Sequence, residues 1–271
     1  MHLLYTHGLG GSPQAQPEID EVFAPLGYII TRIAVPYHGS GTELFTKIAT
    51  STFGDLCTWV HEDANNLVAA AGQFAPEDYV AVGDSLGGFI SLVAAERDQR
   101  ISHCILLACS GDFCDAMMRL DKLNPFLGAI AGKFAGAGKG GIKEQAHKAI
   151  AGQSDFQREF EAINTFEAQR LARLRRLLIL GDKRDPVAPE GACLHFARGA
   201  TDAIVRMVYN QGQHHPIGKE ALERYAVPFL LNEPVPIGLP FSVKERAMNF
   251  MLPMKWGLQR ILRRLLSDPP G

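Results

Sequence analysis

Six residues, GDSLGG at positions 83–88, carry most of the information on how this chain folds. The apolar run Tyr79–Gly83 predicts a strand before them, and Leu86–Glu96 predicts a helix after them. A strand that turns at once into a helix crowds the turn, and glycines two places before and after the serine remove the Cβ atoms that would clash. We therefore expect Ser85 at a tight strand-to-helix turn.

The predicted turn holds the Ser85 hydroxyl at the start of a helix. The first N–H groups of a helix lack intrahelical acceptors and carry a partial positive charge, so they can stabilise an anion that develops there. The alternative is an ordinary turn in which Ser85 only caps the helix. The G-x-S-x-G pattern between a strand and a helix favours a serine nucleophile.

Short apolar, β-branched runs alternate with longer helical patterns along the chain. This alternation is typical of βαβ units and of a parallel sheet that is buried on both faces, so we expect an α/β fold. The predicted strands are Leu3–Thr6, Tyr28–Val35, Tyr79–Gly83, Ile101–Ala108, Leu177–Leu180 and Ala203–Tyr209. Helical patterns cover Pro17–Leu26, Leu86–Glu96 and a stripe from Leu56 to Ala71.

One long stretch interrupts the alternation and sets the expected domain boundaries. Residues 111–171 lie between two predicted strands and are far longer than a simple crossover, so we expect a helical cap insertion there. The alternative is a decorated crossover without a role in substrate binding. Residues 1–110 and 172–232 then form the α/β core.

The tail, residues 233–271, is expected to contain a proline-rich linker and a basic amphipathic helix. Apolar residues form one helical stripe within 258–266, and Arg260, Arg263 and Arg264 occupy the other face. Residues 235–271 hold six Lys/Arg and two Asp/Glu. We expect the stripe to dock on its own domain or on a second subunit in a homodimer. The alternative is peripheral contact with an anionic membrane surface.

Composition excludes several classes of protein. The 271 residues are 46% hydrophobic and 21% charged, as in a packed globular protein, and a net charge of −2 argues against a nucleic-acid binder. Five cysteines without a CxxC pair argue against a disulfide framework and favour a reducing compartment. No signal peptide or spanning apolar run is apparent, so we expect a cytoplasmic protein. No ligand spacing such as HExxH occurs, so we expect no metal and no cofactor.

Five motifs together resemble the α/β-hydrolase superfamily. They are HGLGG at 7–11, PYHG at 36–39, GDSLGG at 83–88, LILGDKRDP at 178–186 and QGQHHP at 211–216. Their order, with the serine before the acid and the acid before the histidine, is the order of that family. The resemblance runs from about residue 2 to 231, without the cap. It implies a mostly parallel, doubly wound sheet of about six strands, shortened at its N-terminal side, with Tyr28–Val35 at the edge.

The resemblance also implies a catalytic triad of Ser85, Asp185 and His214. In that family the histidine takes the proton of the attacking serine, and the acid orients the imidazole and stabilises its protonated form. The backbone N–H groups of Leu9 and Leu86 would then form the oxyanion hole.

Other residues are alternatives for the base and for the acid. His215 adjoins His214, and the two side chains should point in different directions. Asp182 lies three residues before Asp185, and Asp112 follows another predicted strand, where some family members place the acid. The family spacing favours His214 as the base and Asp185 as the acid.

We therefore expect a serine hydrolase that cleaves a carboxylic ester of a small or medium acyl substrate through an acyl-enzyme. A thioesterase, a C–C bond hydrolase or a lyase could use the same side chains, so the motifs do not separate these reactions. A non-catalytic ligand-binding member of the fold is the alternative from another class, and the complete set of motifs argues against it.

Overall fold

A computed structural model describes residues 1–8, 11–35, 53–73, 78–110, 119, 176–197, 203–208, 214 and 217–237. The chain divides into two compact units, Met1–Val235 and Pro236–Gly271. The predicted cap at 111–171, apart from residue 119, and the predicted amphipathic helix of the tail lie outside the described residues. The cap and the tail helix therefore stay predictions.

Six strands form one sheet in the described part of the chain, and every neighbouring pair is parallel. They are β1 (His2–Thr6), β2 (Ile29–Ile33), β3 (Tyr79–Asp84), β4 (Ile101–Leu107), β5 (Arg176–Asp182) and β6 (Ala203–Val208). The order across the sheet is β2-β1-β3-β4-β5-β6. The predicted strand number, the parallel direction and the edge position of β2 are confirmed.

Helices lie between these strands and after the last of them. They are α1 (Glu18–Phe23), α2 (Phe53–Gly72), α3 (Leu86–Arg97), α4 (Glu190–Ala197), α5 (Lys219–Ala221) and α6 (Val227–Leu230). A 3₁₀ turn, Ala24–Leu26, extends α1, and a π-helical turn, Leu222–Ala226, joins α5 to α6. Helices α4, α5 and α6 were not predicted, because they are short and carry no strong apolar period.

Helices cover both faces of the sheet, which confirms the doubly wound architecture. Leu4 of β1 and Leu106 of β4 share one buried cluster with Leu67 of α2. His103 lies an odd number of residues from Leu106, so its side chain is on the opposite face. There it meets Phe229 of α6, with the two ring centroids 5.9 Å apart.

The carboxyl ends of the parallel strands all meet at one edge of the sheet, where such folds place their ligands. Ser85 directly follows β3, Asp185 comes three residues after β5, and His214 follows β6. Gly8 follows β1 at the same edge. Four distant parts of the chain therefore converge. None of the helices in the described ranges has the length and apolar character needed to cross a bilayer.

Candidate active site

Ser85 occupies a strained backbone position between β3 and α3. Its φ is 50° and its ψ is −111°, and its side chain makes no capping hydrogen bond to α3. A non-glycine residue in such a region costs on the order of 1–3 kcal/mol, which the surrounding structure must offset. The hydroxyl is thereby held at the helix N-terminus without being used to cap it.

Glycines around Ser85 allow this turn because three backbone segments come together there. A Cβ on Gly83 would lie 2.1 Å from the Gly87 carbonyl oxygen, and a Cβ on Gly87 would lie 2.1 Å from the Thr6 carbonyl oxygen. Real Cβ atoms do not approach backbone that closely, so any side chain at either position would force the segments apart. The glycine spacing that the sequence showed thus reflects direct backbone packing.

The structure brings Ser85, His214 and Asp185 together in a continuous hydrogen-bonded chain. The distance from Ser85 Oγ to His214 Nε2 is 2.7 Å, and the distance from His214 Nδ1 to Asp185 Oδ2 is 2.8 Å. A carboxylate only accepts, so Nδ1 carries the proton and Nε2 is left to accept from the serine hydroxyl. This is the tautomer that a general base for Ser85 requires.

Asp185 is fixed on both sides of its carboxylate. Its Oδ1 accepts hydrogen bonds from the backbone N–H groups of Val187 (2.7 Å) and Ala188 (2.9 Å), while Oδ2 faces His214. The side chain is completely buried. Asp182, the rival from the sequence, accepts a hydrogen bond from the Arg184 backbone N–H and stabilises the turn after β5.

Two opposing effects set the pKa of His214. Burial of the imidazole lowers its pKa, whereas the hydrogen bond and negative charge of Asp185 and the charge of Asp84 raise it. The net result is a pKa above the ordinary histidine value. The imidazole is therefore a stronger base than a free histidine, and it needs a higher pH to lose its proton.

His7 stabilises the start of the predicted oxyanion loop. Val35 donates its backbone N–H to His7 Nε2 (3.2 Å), so Nδ1 carries the proton and donates to the Gly8 carbonyl oxygen (2.9 Å). His7 therefore ties the chain just before Leu9 to the end of β2. Leu9 itself lies outside the described residues. The N–H of Leu86, the first residue of α3, has no intrahelical acceptor.

Asp84 is a partly buried carboxylate immediately before Ser85, and the sequence offered no role for it. Burial raises the pKa of Asp84 to about 6, the positive charge of His214 lowers it, and the negative charge of Asp185 raises it. A Cβ on Gly8 would lie 3.2 Å from Asp84 Oδ2, so the carboxylate sits against the loop that follows β1. Asp84 and Asp185 thus act together on the charge of His214.

The other residues considered from the sequence cannot be compared with the structure. His215 and Asp112 lie outside the described residues, as Leu9 does. In the described ranges, no three His, Cys, Asp or Glu side chains are grouped so that they could hold a metal ion. The sequence gave no signal for the hydrogen bond from Gln16 to Ile217, because the two residues lie 201 positions apart.

Residues 2–137, half of the chain, match a family model described as the alpha/beta hydrolase fold. The chain belongs to this family. The match covers the loop after β1, the turn at Ser85 and the strands β1 to β4. The fold that the motifs predicted is therefore confirmed.

Solved structures show the same fold at low identity. A monoacylglycerol lipase from Paleococcus ferrophilus has a TM-score of 0.53 and 16% identity, covering 85% of this chain and 94% of that chain. A structure described with LipS and LipT, two metagenome-derived lipolytic enzymes, has a TM-score of 0.50 and 20% identity, covering 77% of this chain and 83% of that chain. No curated protein matches the chain in sequence. At such low identity, the similarity to these structures shows the fold alone.

Proposed function

We propose that this member of the family is a serine hydrolase that cleaves a carboxylic ester of a small or medium acyl substrate. The observation that carries the proposal is the pair of hydrogen bonds that joins Ser85 to His214 and His214 to Asp185, at 2.7 and 2.8 Å. A serine hydroxyl is a weak nucleophile at neutral pH, and a base at hydrogen-bonding distance is what activates it.

The first half of the reaction transfers the acyl group to the enzyme. Ser85 Oγ attacks the ester carbonyl carbon while His214 Nε2 takes the hydroxyl proton. The resulting oxyanion accepts hydrogen bonds from the backbone N–H of Leu86 and, by resemblance, of Leu9. The C–O bond to the alcohol then breaks, and His214 returns the proton to the leaving oxygen.

The second half of the reaction frees the acid. Water attacks the acyl-enzyme carbonyl while His214 takes the water proton, and the bond from the acyl carbon to Ser85 Oγ then breaks as His214 gives that proton to Ser85 Oγ and the carboxylic acid leaves. Asp185 keeps Nδ1 protonated in both halves and stabilises the imidazolium. Two structural neighbours, a monoacylglycerol lipase and a protein described with lipolytic enzymes, are consistent with ester chemistry on this fold.

A fluorophosphonate probe tests the proposed nucleophile directly. The Ser85 oxygen displaces fluoride from phosphorus and forms a stable phosphonyl ester, so the wild-type protein should be labelled and Ser85→Ala should not. With an ester substrate, Ser85→Ala should lower kcat by about 10⁶-fold, as removal of a serine nucleophile does in related chemistry.

Ser91 provides the matched control, because it lies on the same helix and its buried Oγ has no hydrogen-bond partner. Ser91→Ala should keep both the labelling and the ester hydrolysis. Absence of labelling in the folded wild-type protein would contradict the proposal and favour a non-catalytic member of the fold. A panel of p-nitrophenyl esters of rising chain length, with a thioester and a vinylogous diketone, then identifies the bond that is cleaved.

We further propose a reducing compartment, the cytoplasm, as the site of action. Cys104, Cys109 and Cys193 are buried free thiols, and free cysteines are typical of such a compartment. Burial raises the pKa of the Cys193 thiol to about 12, so this thiol stays protonated at neutral pH.

A further inference from the structure

Gln16 links the first strand to the segment that carries His214. Its side chain is fully buried, which is uncommon for glutamine. Nε2 donates a hydrogen bond to the Ile217 carbonyl oxygen at 2.8 Å, and Oε1 accepts one from the Tyr5 hydroxyl at 3.4 Å. One amide therefore joins β1 to a residue three positions after His214.

Gln16 is itself held in place from another direction. Arg32 of β2 donates from Nη2 to the Gln16 carbonyl oxygen at 2.9 Å, and its guanidinium lies 5.0 Å from the centroid of the Tyr5 ring. Arg32 also forms an ion pair with Asp20 of α1. Arg32 therefore fixes the backbone of Gln16 independently of the Tyr5 hydroxyl, so the amide is a preorganised donor toward Ile217.

His214 needs such external support. Its φ is 56°, a conformation that a non-glycine residue adopts only when its surroundings hold it. Ile217 is completely buried, so its carbonyl group cannot turn to bulk water for a partner. Loss of the Gln16 amide would leave that carbonyl unsatisfied and would favour a shift of the backbone that bears His214.

We propose that Gln16 is a positioning residue that holds the imidazole of His214 between Asp185 and Ser85 by anchoring Ile217. The inference rests on the proposed role of His214 as the base for Ser85. The amide of Gln16 then has a function beyond packing. A shift of about 1 Å in a reacting group can cost up to about 10²-fold in rate, so the position of the imidazole affects the reaction directly.

Gln16→Met removes the amide while keeping a side chain of similar length. We expect kcat to fall about 10- to 100-fold with little change in KM, since the substrate would still bind while the base is misplaced. The pKa of His214 should fall as well, because the Asp185 hydrogen bond that raises it is weakened. The acidic limb of the kcat/KM profile should therefore move to lower pH.

Two variants separate positioning from stability. Tyr5→Phe removes the other hydrogen bond of the amide and leaves the one to Ile217. Arg176→Met removes a donor to the Phe229 carbonyl oxygen (2.6 Å), which lies in the same C-terminal segment but far along the chain from His214. Both should lower the melting temperature while kcat and the position of the acidic limb stay at their wild-type values.

Gln16→Glu supplies a second test that works even if Gln16→Met does not fold. The introduced carboxyl group can donate to the Ile217 carbonyl only when it is protonated, and burial raises its pKa. The ratio of variant to wild-type kcat/KM should therefore rise as the pH falls. A purely structural role predicts that the ratio only follows the folded fraction of the variant, because an ionised buried carboxylate destabilises the fold. A ratio that matches the folded fraction measured by circular dichroism at each pH, or that does not rise as the pH falls, would overturn the inference.

A measurement without substrate keeps the inference separate from the proposed function. The Nδ1 proton of His214, hydrogen-bonded to Asp185, should give a strongly deshielded NMR resonance in the wild-type protein. Its loss in Gln16→Met, but not in Tyr5→Phe or Arg176→Met, supports positioning by Gln16 whether or not the fluorophosphonate labels Ser85. Persistence of the resonance in a folded Gln16→Met protein would overturn it.

Discussion

The two ends of helix α3 follow different physical rules. At the N-terminus, Ser85 has a positive φ, its side chain does not cap the helix, and it is surrounded by glycines in close backbone contact. At the C-terminus, Asp98 is extended, with φ −125° and ψ 108°, and donates its N–H to the Ala94 carbonyl oxygen. Its carboxylate accepts hydrogen bonds from the backbone and the guanidinium of Arg100.

The proposed nucleophile thus lies at one end of α3, whereas the other end contributes to stability. At the Asp98 end every local preference is met, so its contribution is to stability. At the Ser85 end the local preferences are overridden, and the cost is offset by packing of β1, β3 and α3 against one another. What the strain achieves is a hydroxyl that points away from its own helix and toward His214.

The largest expected effect comes from filling the close contact at the Ser85 end. Gly87→Ala places a Cβ 2.1 Å from the Thr6 carbonyl oxygen, so β1 and α3 must separate. We expect a loss of unfolding free energy on the order of 4 kcal/mol or more, measured by urea denaturation, or failure to fold.

Gly191→Ala is the matched control for that substitution. A Cβ on Gly191 meets no atom within 4 Å, and the residue lies in helix α4. Alanine is the better helix former, so stability should stay level or rise by up to about 1 kcal/mol. Equal losses from the two substitutions would show that close packing at Gly87 is not what constrains the turn.

A smaller effect is expected from the charge beside Ser85. Activity should rise with pH as His214 loses its proton, with a midpoint above the ordinary histidine pKa. Asp84→Asn removes a negative charge that raises the pKa of His214, so the midpoint should move to lower pH. Because the pKa of Asp84 itself is about 6, the comparison is clearest above that pH, where its carboxyl group is ionised.

Asp98→Asn makes the same change of charge at the other end of α3, on the order of 18 Å away along the helix. It should leave the midpoint of the pH profile where it is in the wild-type protein. Identical profiles for wild type and Asp84→Asn, measured as kcat/KM against pH, would remove Asp84 from the electrostatics of the site.

The smallest effect is expected at the Asp98 end. Arg100→Gln breaks a partly exposed ion pair and should lower the unfolding free energy by about 1 kcal/mol or less at neutral pH. The Arg100 hydrogen bonds lower the pKa of Asp98, so the stabilisation is present above the ordinary aspartate pKa and disappears as the pH falls through the lowered value. Urea denaturation of wild type and variant at neutral and at strongly acidic pH measures this. A difference that persists in acid would assign it to packing.

Local pattern was enough to predict the strands and the turn at Ser85. The predicted strand Leu3–Thr6 agrees with β1 within one residue, and the predicted helix Leu86–Glu96 agrees equally well with α3. Apolar periodicity and glycine spacing are properties of neighbouring residues, so they can be read directly from the chain. The short helices α4, α5 and α6 were not predicted, because tertiary packing and not an apolar period stabilises them.

The sequence by itself determined the family, the order of the strands along the chain and the candidates for nucleophile, base and acid, because each depends on motifs of a few adjacent residues. The family spacing already favoured Asp185 over Asp182, but only the tertiary structure showed that Asp185 is bonded to His214 and Asp182 within its own turn. Only it brought Gln16 to Ile217 and gave Asp84 a place beside His214. Contacts across such separations along the chain depend on how strands and helices pack, and no local pattern encodes that packing.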